Sequence, residues 1–138
     1  MNEEIKISKQ LQLGKAGEHI VCADLILQGF NAFLADQGLP YDVLVDLGGI
    51  LKRIQVKATQ HKVNYQKAKN VYRFGTRRAK GQRARTEIHY VDFFAFVALE
   101  IMEIAYVPVH LMISRNNGIK QTIDFKYDKI LKYRKFIP

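Results

Sequence analysis

Tyr41-Asp42-Val43-Leu44-Val45-Asp46-Leu47-Gly48-Gly49-Ile50-Leu51-Lys52-Arg53-Ile54-Gln55-Val56-Lys57-Ala58-Thr59 reads as two strands joined by a glycine pair. Glycines enter the positive-φ conformations of a tight hairpin without steric cost, so Gly48-Gly49 between two apolar runs is a strong reversal signal. The segment Tyr41 to Asp46 is apolar at four of six positions, which predicts burial on both faces. From Arg53 onward the residues alternate: Ile54, Val56 and Ala58 point one way, Arg53, Gln55, Lys57 and Thr59 the other. Taken by itself, that second run also fits an ordinary amphipathic strand with one wet face. Asp42 stands at the entrance of its strand, beside the Gly38-Leu39-Pro40 turn, where it can lie across the ladder from Gln55 and Lys57. A carboxylate, an amide oxygen and an ammonium on a largely buried sheet are costly unless paired or bound to a metal.

Upstream, Leu13, Gly17, Ile20, Ala23 or Asp24, and Leu27 recur at helical spacing between Ser8, a plausible N-cap, and Gly29, placed to end the helix. Glu18 has Val21 and Leu25 at i+3 and i+7, so it borders the apolar stripe. Gly14 and Gly17 allow this helix to approach other backbone closely and bring the carboxylate toward the sheet. Neither belongs to a phosphate loop, because no strand precedes them and no Lys-Ser or Lys-Thr follows. Asn31 to Ala35 reads as a short strand. Downstream, Tyr72 and Phe74 fit a further strand, and Tyr90–Leu99 and Glu103–Val109 form a pair around a tight reversal, with Pro108 at an end or edge. A turn at Asn116-Asn117-Gly118, a strand over Ile119–Phe125 and a short helix near Tyr127–Tyr133 complete the chain. One helix, mostly antiparallel strands and late helical pieces predict an α/β (α+β) fold with a central mixed sheet flanked by helices.

The chain has 138 residues, 48% of them apolar, with 15 Phe or Tyr, enough to fill one core and too apolar for default disorder. No repeat or linker divides it, so residues 1–138 are expected to form a single domain. No apolar run reaches the roughly 18–20 residues of a membrane span, and the acidic, polar Met1-Asn2-Glu3-Glu4 does not resemble a secretory signal; no membrane partner is expected. One cysteine, Cys22, cannot form an intramolecular disulfide or a Cys-based zinc site, and a cytoplasmic compartment is the default expectation. Cys22, Met102 and Met112 read as core residues. Asp92 opens an apolar strand, where it can pair with a basic residue or support the site indirectly. His19, His61, His89 and His110 show no metal-site spacing.

The net charge of +9 is unevenly placed. Lys52 to Arg85 holds 12 Lys or Arg and no acid, while the rest of the chain holds 10 basic and 13 acidic residues. Charges packed this densely repel one another unless something anionic arrives, which favours nucleic acid over a merely solvated loop. The expected DNA-contacting segment is about 60–86, with Arg53, Lys62, Arg73, Arg77, Arg78, Lys80, Arg83 and Arg85 as the candidate contacts. Some of Arg73 to Arg85 could read guanine edges in the major groove.

Gly17-Glu18 on a first helix, Tyr41-Asp42 on a strand, a Gly-Gly hairpin and Gln55-Val56-Lys57, followed by Tyr90-Val91-Asp92-Phe93-Phe94 and Ile104 to Val109, resemble the PD-(D/E)xK nuclease superfamily. Gln in place of the second acid is similar to the homing endonucleases associated with group I introns. The Pro of the family name stands one position early here, before Tyr41. The resemblance spans roughly Gly14 to Val109. It implies a restriction-endonuclease-like core of helix, three-stranded antiparallel meander, helix and further strand. It also implies Mg²⁺-dependent hydrolysis of double-stranded DNA, with Mn²⁺ able to substitute. By the same resemblance Asp42 is the principal metal ligand, Gln55 the second through its side-chain oxygen, aided by the Val56 carbonyl. Lys57 orients or deprotonates the attacking water, and Glu18 binds metal directly or through water. Cutting both strands with so small a chain needs two active sites, hence a homo-oligomer, dimer or tetramer. Two other readings stay open. One is a structure-selective nuclease such as a Holliday-junction resolvase, which usually keeps an acid where Gln55 stands. The other is a catalytically silent DNA-binding module of the same fold.

Overall fold

The computed structural model describes residues 8–76, 89–114 and 118–138. Helix α1 (Lys9–Leu27) starts at Ser8, whose Oγ accepts the Leu11 N–H at 3.2 Å, and gives way to Gly29 at φ +99°. Three strands follow as an antiparallel meander: β1 (Asn31–Leu34), β2 (Val43–Asp46) and β3 (Leu51–Thr59). The β2–β3 reversal lies at Gly48 and Gly49, with φ of +84° and +110°, and the Asp46 carboxylate accepts both of their N–H groups. Next come β4 (Val63–Tyr65) and β5 (Ala68–Gly75), then β6 (Phe93–Ala98) and β7 (Glu103–Pro108). β8 (Thr122–Phe125) and a short helix α2 (Tyr127–Lys132) complete the described elements.

The strands form two sheets. The larger has the order β1-β2-β3-β6-β7 and is mixed, because β6 joins β3 in parallel while its other pairs are antiparallel. The smaller has the order β4-β5-β8. β3 and β6 form the centre, and β6, Phe-Phe-Ala-Phe-Val-Ala, is buried at every position, as an apolar run between two packed layers should be. On one face Ile54 and Val56 of β3, Val43 and Val45 of β2, and Phe93, Ala95 and Val97 of β6 pack under Val21 and Leu25 of α1. On the other, Phe94 and Phe96 meet Tyr72 and Phe74 of β5, Phe125 of β8 and Ile130 of α2. Each fully buried Val, Leu or Phe contributes about 1.5–3 kcal/mol, so two cores on opposite faces of one sheet hold it rigidly. No described helix is long and apolar enough to cross a membrane.

Several expectations need correction. The buried stripe of α1 is Gly17, Val21 and Leu25, and Leu27 is 86% exposed, because the helix crosses the sheet on its i, i+4 row. β2 is not buried on both faces: Val43 and Val45 are covered, Leu44 and Asp46 only half so, since α1 covers one side and β5 does not reach the other. Met112 is fully buried, but Met102 is exposed at φ +52° in the β6–β7 reversal. The strand expected from Ile119 begins at Thr122, and residues 116 and 117 of the expected Asn-Asn-Gly turn lie outside the described residues. Among the described residues β4 and β5 follow the meander in place of the helix that the resemblance implies, and residues 77–88 are not described.

Candidate active site

Where β2 and β3 diverge, the ladder is completed by a side chain. Val43 pairs with Ile54, so one step further the register sets Asp42 opposite Gln55. The Asp42 N–H donates to the Ile54 carbonyl at 2.8 Å, and its own carbonyl accepts the Ala35 N–H at 2.9 Å. Beyond that point Asp42 Oδ2 accepts the Val56 N–H at 2.8 Å, a position a backbone carbonyl would hold in a continuing strand. Asp42 is thus fixed at both backbone and carboxylate, between two strands of the meander.

Glu18 reaches this fork from α1. A Cβ on Gly17 would lie 2.9 Å from the Ala58 Cβ and 3.4 Å from the Val56 Cγ1, so the helix can rest on β3 here because the residue is glycine. Half-buried Glu18 follows immediately. Burial pushes its carboxyl above the ordinary glutamate value, the nearby Asp42 charge pushes it further, and Lys15 opposes both. Two carboxylates therefore share one edge of the sheet.

Gln55 is the buried polar residue of β3, at 4% exposure, opposite Phe94 of β6. Its Oε1 has no hydrogen-bond partner among the described residues. A carboxamide oxygen left unpaired inside a protein costs about 1–3 kcal/mol. Lys57 is half-buried, two residues along on the same side of the strand. The alternation expected for this strand holds, but its second side is not simply wet: it adjoins the Phe94–Phe96 stack, whose ring centroids are 5.7 Å apart. Among the described residues no group of three or more His, Cys, Asp or Glu could hold a metal ion, and the oxygen-bearing side chains at this fork are Glu18, Asp42 and Gln55.

The remaining predicted residues are elsewhere. Arg53 forks onto Asp92, Nε to Oδ2 at 3.1 Å and Nη2 to Oδ1 at 3.3 Å, and its N–H donates to the same carboxylate. This is the basic partner expected for Asp92, and it fixes the start of β6 against β3. Arg73 forks onto Asp124 at 2.6 and 2.7 Å and stacks on the Tyr65 ring at 4.0 Å. Lys62 is exposed, 5.6 Å from the Tyr72 ring centre. Arg77, Arg78, Lys80, Arg83 and Arg85 lie outside the described residues. Cys22 is half-buried beside the first core, and burial raises its thiol pKa.

A family model described as PD-(D/E)XK endonuclease matches residues 8–134. The chain belongs to the PD-(D/E)XK endonuclease family. Among solved structures it is similar to a bacterial homing endonuclease, I-Ssp6803I, with a TM-score of 0.67 and 20% identity, covering 93% of this chain and 88% of that one. It is also similar to Hjc, a Holliday junction resolvase from the archaeal hyperthermophile Archaeoglobus fulgidus, with a TM-score of 0.50 and 15% identity over 86% and 88% of the two chains. No curated protein sequence matches it significantly. The α/β core with its five-stranded mixed sheet is thus the restriction-endonuclease-like fold, as the Gly17-Glu18, Tyr41-Asp42 and Gln55-Val56-Lys57 pattern implied.

A second polar cluster escaped sequence reasoning. Asp24 of α1 accepts hydrogen bonds from both terminal nitrogens of Arg134, at 2.9 and 2.8 Å, and from Tyr106 at 2.6 Å, while Arg134 Nε donates to Glu103 at 2.6 Å. With Phe136 seated in the first core, it fastens the C-terminal tail across α1 and β7. Asp24 and Arg134 are 110 positions apart, and no local pattern links them.

Proposed function

We propose that the protein is a Mg²⁺-dependent DNA endonuclease that hydrolyses phosphodiester bonds, cutting both strands at a defined site in the manner of a homing endonuclease. The observation that carries this reading is the buried, unpartnered Gln55 Oε1 on the strand whose Val56 N–H fixes the Asp42 carboxylate. An oxygen-only donor set suits a hard divalent cation, which keeps several of its own waters and takes one or two carboxylates from the protein. Asp42, Gln55 Oε1 and the Val56 carbonyl would hold the ion, with Glu18 binding directly or through water. When bound, such a cation polarises a phosphoryl oxygen and lowers the pKa of bound water.

The chain's own residues account for the rest. The two strands and the helix present these oxygens from separate elements, and the Val56 N–H holds the Asp42 carboxylate in place. Lys57 orients the attacking water as the ammonium, which also balances charge developing on the phosphate, or takes that water's proton as the neutral amine. Gln55 carries no charge, so cation affinity should be lower than in an all-carboxylate site and depend more on Glu18. The basic segment at about 60–86 supplies backbone contacts to double-stranded DNA, with Lys62 and the arginines between 77 and 85 available to it. Arg53 and Arg73 can contribute only from within their ion pairs with Asp92 and Asp124. We take residues 1–138 as one domain acting as a homo-oligomer, dimer or tetramer, in the cytoplasm, with Mn²⁺ able to replace Mg²⁺.

Incubation with plasmid and genomic DNA in Mg²⁺, followed by mapping of the ends, tests this directly. Discrete ends are expected, and Asp42→Ala or Lys57→Ala should abolish them while DNA affinity stays within about threefold. An Asp42→Ala protein that cuts at the wild-type rate would falsify the assignment. The fold likeness to a Holliday junction resolvase favours a second reading, a structure-selective nuclease. Faster cleavage of a four-way junction than of linear duplex would choose it. Binding without turnover in either metal would choose a silent DNA-binding module instead.

A further inference from the structure

The smaller sheet carries a concavity of about 400 Å³ that owes nothing to the Asp42 fork. One wall is Lys67 and Lys69, from the β4–β5 turn and the start of β5; the other is Lys126 and Lys129, at the start of α2. Buried Val71 of β5 also lines it. Two carboxylates, Asp124 and Asp128, lie among these four ammonium groups; Asp124 is already held in the Arg73 fork, and Asp128 leaves the lining still positive. Arg73 is itself covered by the Tyr65 ring, so the pair adds almost no net charge to the cavity.

The lysines come from separate elements, and Lys129 is the one held most closely. Lys129 donates to the Asp124 carbonyl at 3.2 Å and lies 4.8 Å from the Phe125 ring centre, so folding fixes its ammonium in place. Burial lowers its pKa, and Lys120 and Lys132 lower it further, while Asp124 opposes them. A bound anion would relieve that strain on the charged form. In sequence the two walls are far apart: Lys67 and Lys69 belong to the segment with no acids, whereas Lys126 and Lys129 belong to a C-terminal stretch, residues 109–138, that holds seven Lys or Arg and two Asp. The strand pairing of β5 with β8 joins them.

We propose that this cavity is a phosphate-binding exosite that grips the DNA backbone away from the scissile bond. It rests on the endonuclease reading for the identity of its ligand. Several ammonium groups converging on one concavity fit the closely spaced phosphates of a duplex, and each neutralised phosphate adds salt-sensitive affinity.

The test compares Lys69→Gln/Lys126→Gln, one residue from each wall, with Lys9→Gln/Lys135→Gln, which removes the same charge from exposed positions outside the cavity. Lys129 is left intact because it holds the Asp124 carbonyl. Binding to a duplex oligonucleotide is measured across a salt series in EDTA, and matched melting temperatures establish that both variants fold. The exosite predicts about tenfold weaker binding for the cavity pair at a fixed salt concentration. Its log–log salt slope should be shallower by about two, near 0.9 per lost phosphate contact. The control pair should change little. Equal losses in the two variants overturn the exosite, even if the wild type cuts DNA. A selective loss in the cavity pair, with a wild type that never cuts in Mg²⁺, upholds the exosite and overturns the endonuclease reading.

Discussion

Glu18 and Asp24 stand six positions apart on the same helix, both partly buried, and the fold treats them oppositely. Asp24 meets a guanidinium, a phenol and the Gln28 amide; burial alone would raise its pKa, but the Arg134 and Tyr106 hydrogen bonds and the Arg134 charge bring it below the usual aspartate value. Glu18 is set beside another carboxylate, and its pKa rises. One acid is neutralised by its own protein and fastens the tail. The other is half-buried beside a second carboxylate, with Lys15 opposing the resulting rise in its pKa. A fold spends its counter-charges where it needs rigidity, and an acid whose neighbours raise its pKa is a candidate for chemistry.

Replacement of the two acids should therefore break different things. Glu18→Gln is expected to lower the cleavage rate about 100-fold or more while leaving the melting temperature at neutral pH equal or slightly higher, read by plasmid cleavage and thermal unfolding. Arg134→Ala should leave Asp24 with a buried charge and no cation, costing about 2–4 kcal/mol in denaturant unfolding, while cleavage per folded molecule is kept. An Arg134→Ala protein as stable as wild type would erase the contrast.

The pH dependence should carry opposite signs at the two positions. The folded pKa of Asp24 lies below its ordinary 3.8, so its stabilisation is present above that value and disappears as pH falls through the lower folded one. The folded pKa of Glu18 lies above 4.5, so its contribution is complete below that value and is lost as pH rises through the higher folded one. Denaturant unfolding from pH 2 to 7 should show the acid-side loss reduced in Asp24→Asn and the opposite decline absent in Glu18→Gln. The smallest expected effect is a rise of a few degrees in melting temperature on adding millimolar Mg²⁺, absent in Asp42→Ala.

Much of this contrast was legible before any coordinates. The Gly-Gly reversal and the alternation from Arg53 place β3 at the predicted residues, because hairpin geometry and pleat are local. The aromatic and β-branched run Tyr90–Leu99 announced a strand, and Phe93–Ala98 forms it. β4 was missed because Val63-Asn64-Tyr65 is too short and polar to show a period. Its pairing with β5 contains a bulge, with Asn70 at φ +57°. Leu27 and Met102 misled because an apolar side chain records a preference, whereas exposure depends on which neighbour arrives. The Asp42–Val56 bond follows from register, but the missing partner of Gln55 Oε1 cannot be read from Gln55 at all, since it depends on everything packed around it.

The parallel seam between β3 and β6 has a consequence during synthesis. Val43 and Ile54 meet across about ten residues, a hairpin closure of roughly 1–10 μs, whereas Ile54 and Phe93 are 39 positions apart. A ribosome adding about 5–20 residues per second needs roughly two to eight seconds to cover that interval. Throughout it the nascent meander can carry its acid clasp fully formed, yet β3 offers a bare row of amides and carbonyls to any stray strand in reach. The lysines and arginines translated in that window, with no acid among them as far as Arg85, keep such chains apart by repulsion until β6 emerges to close the edge.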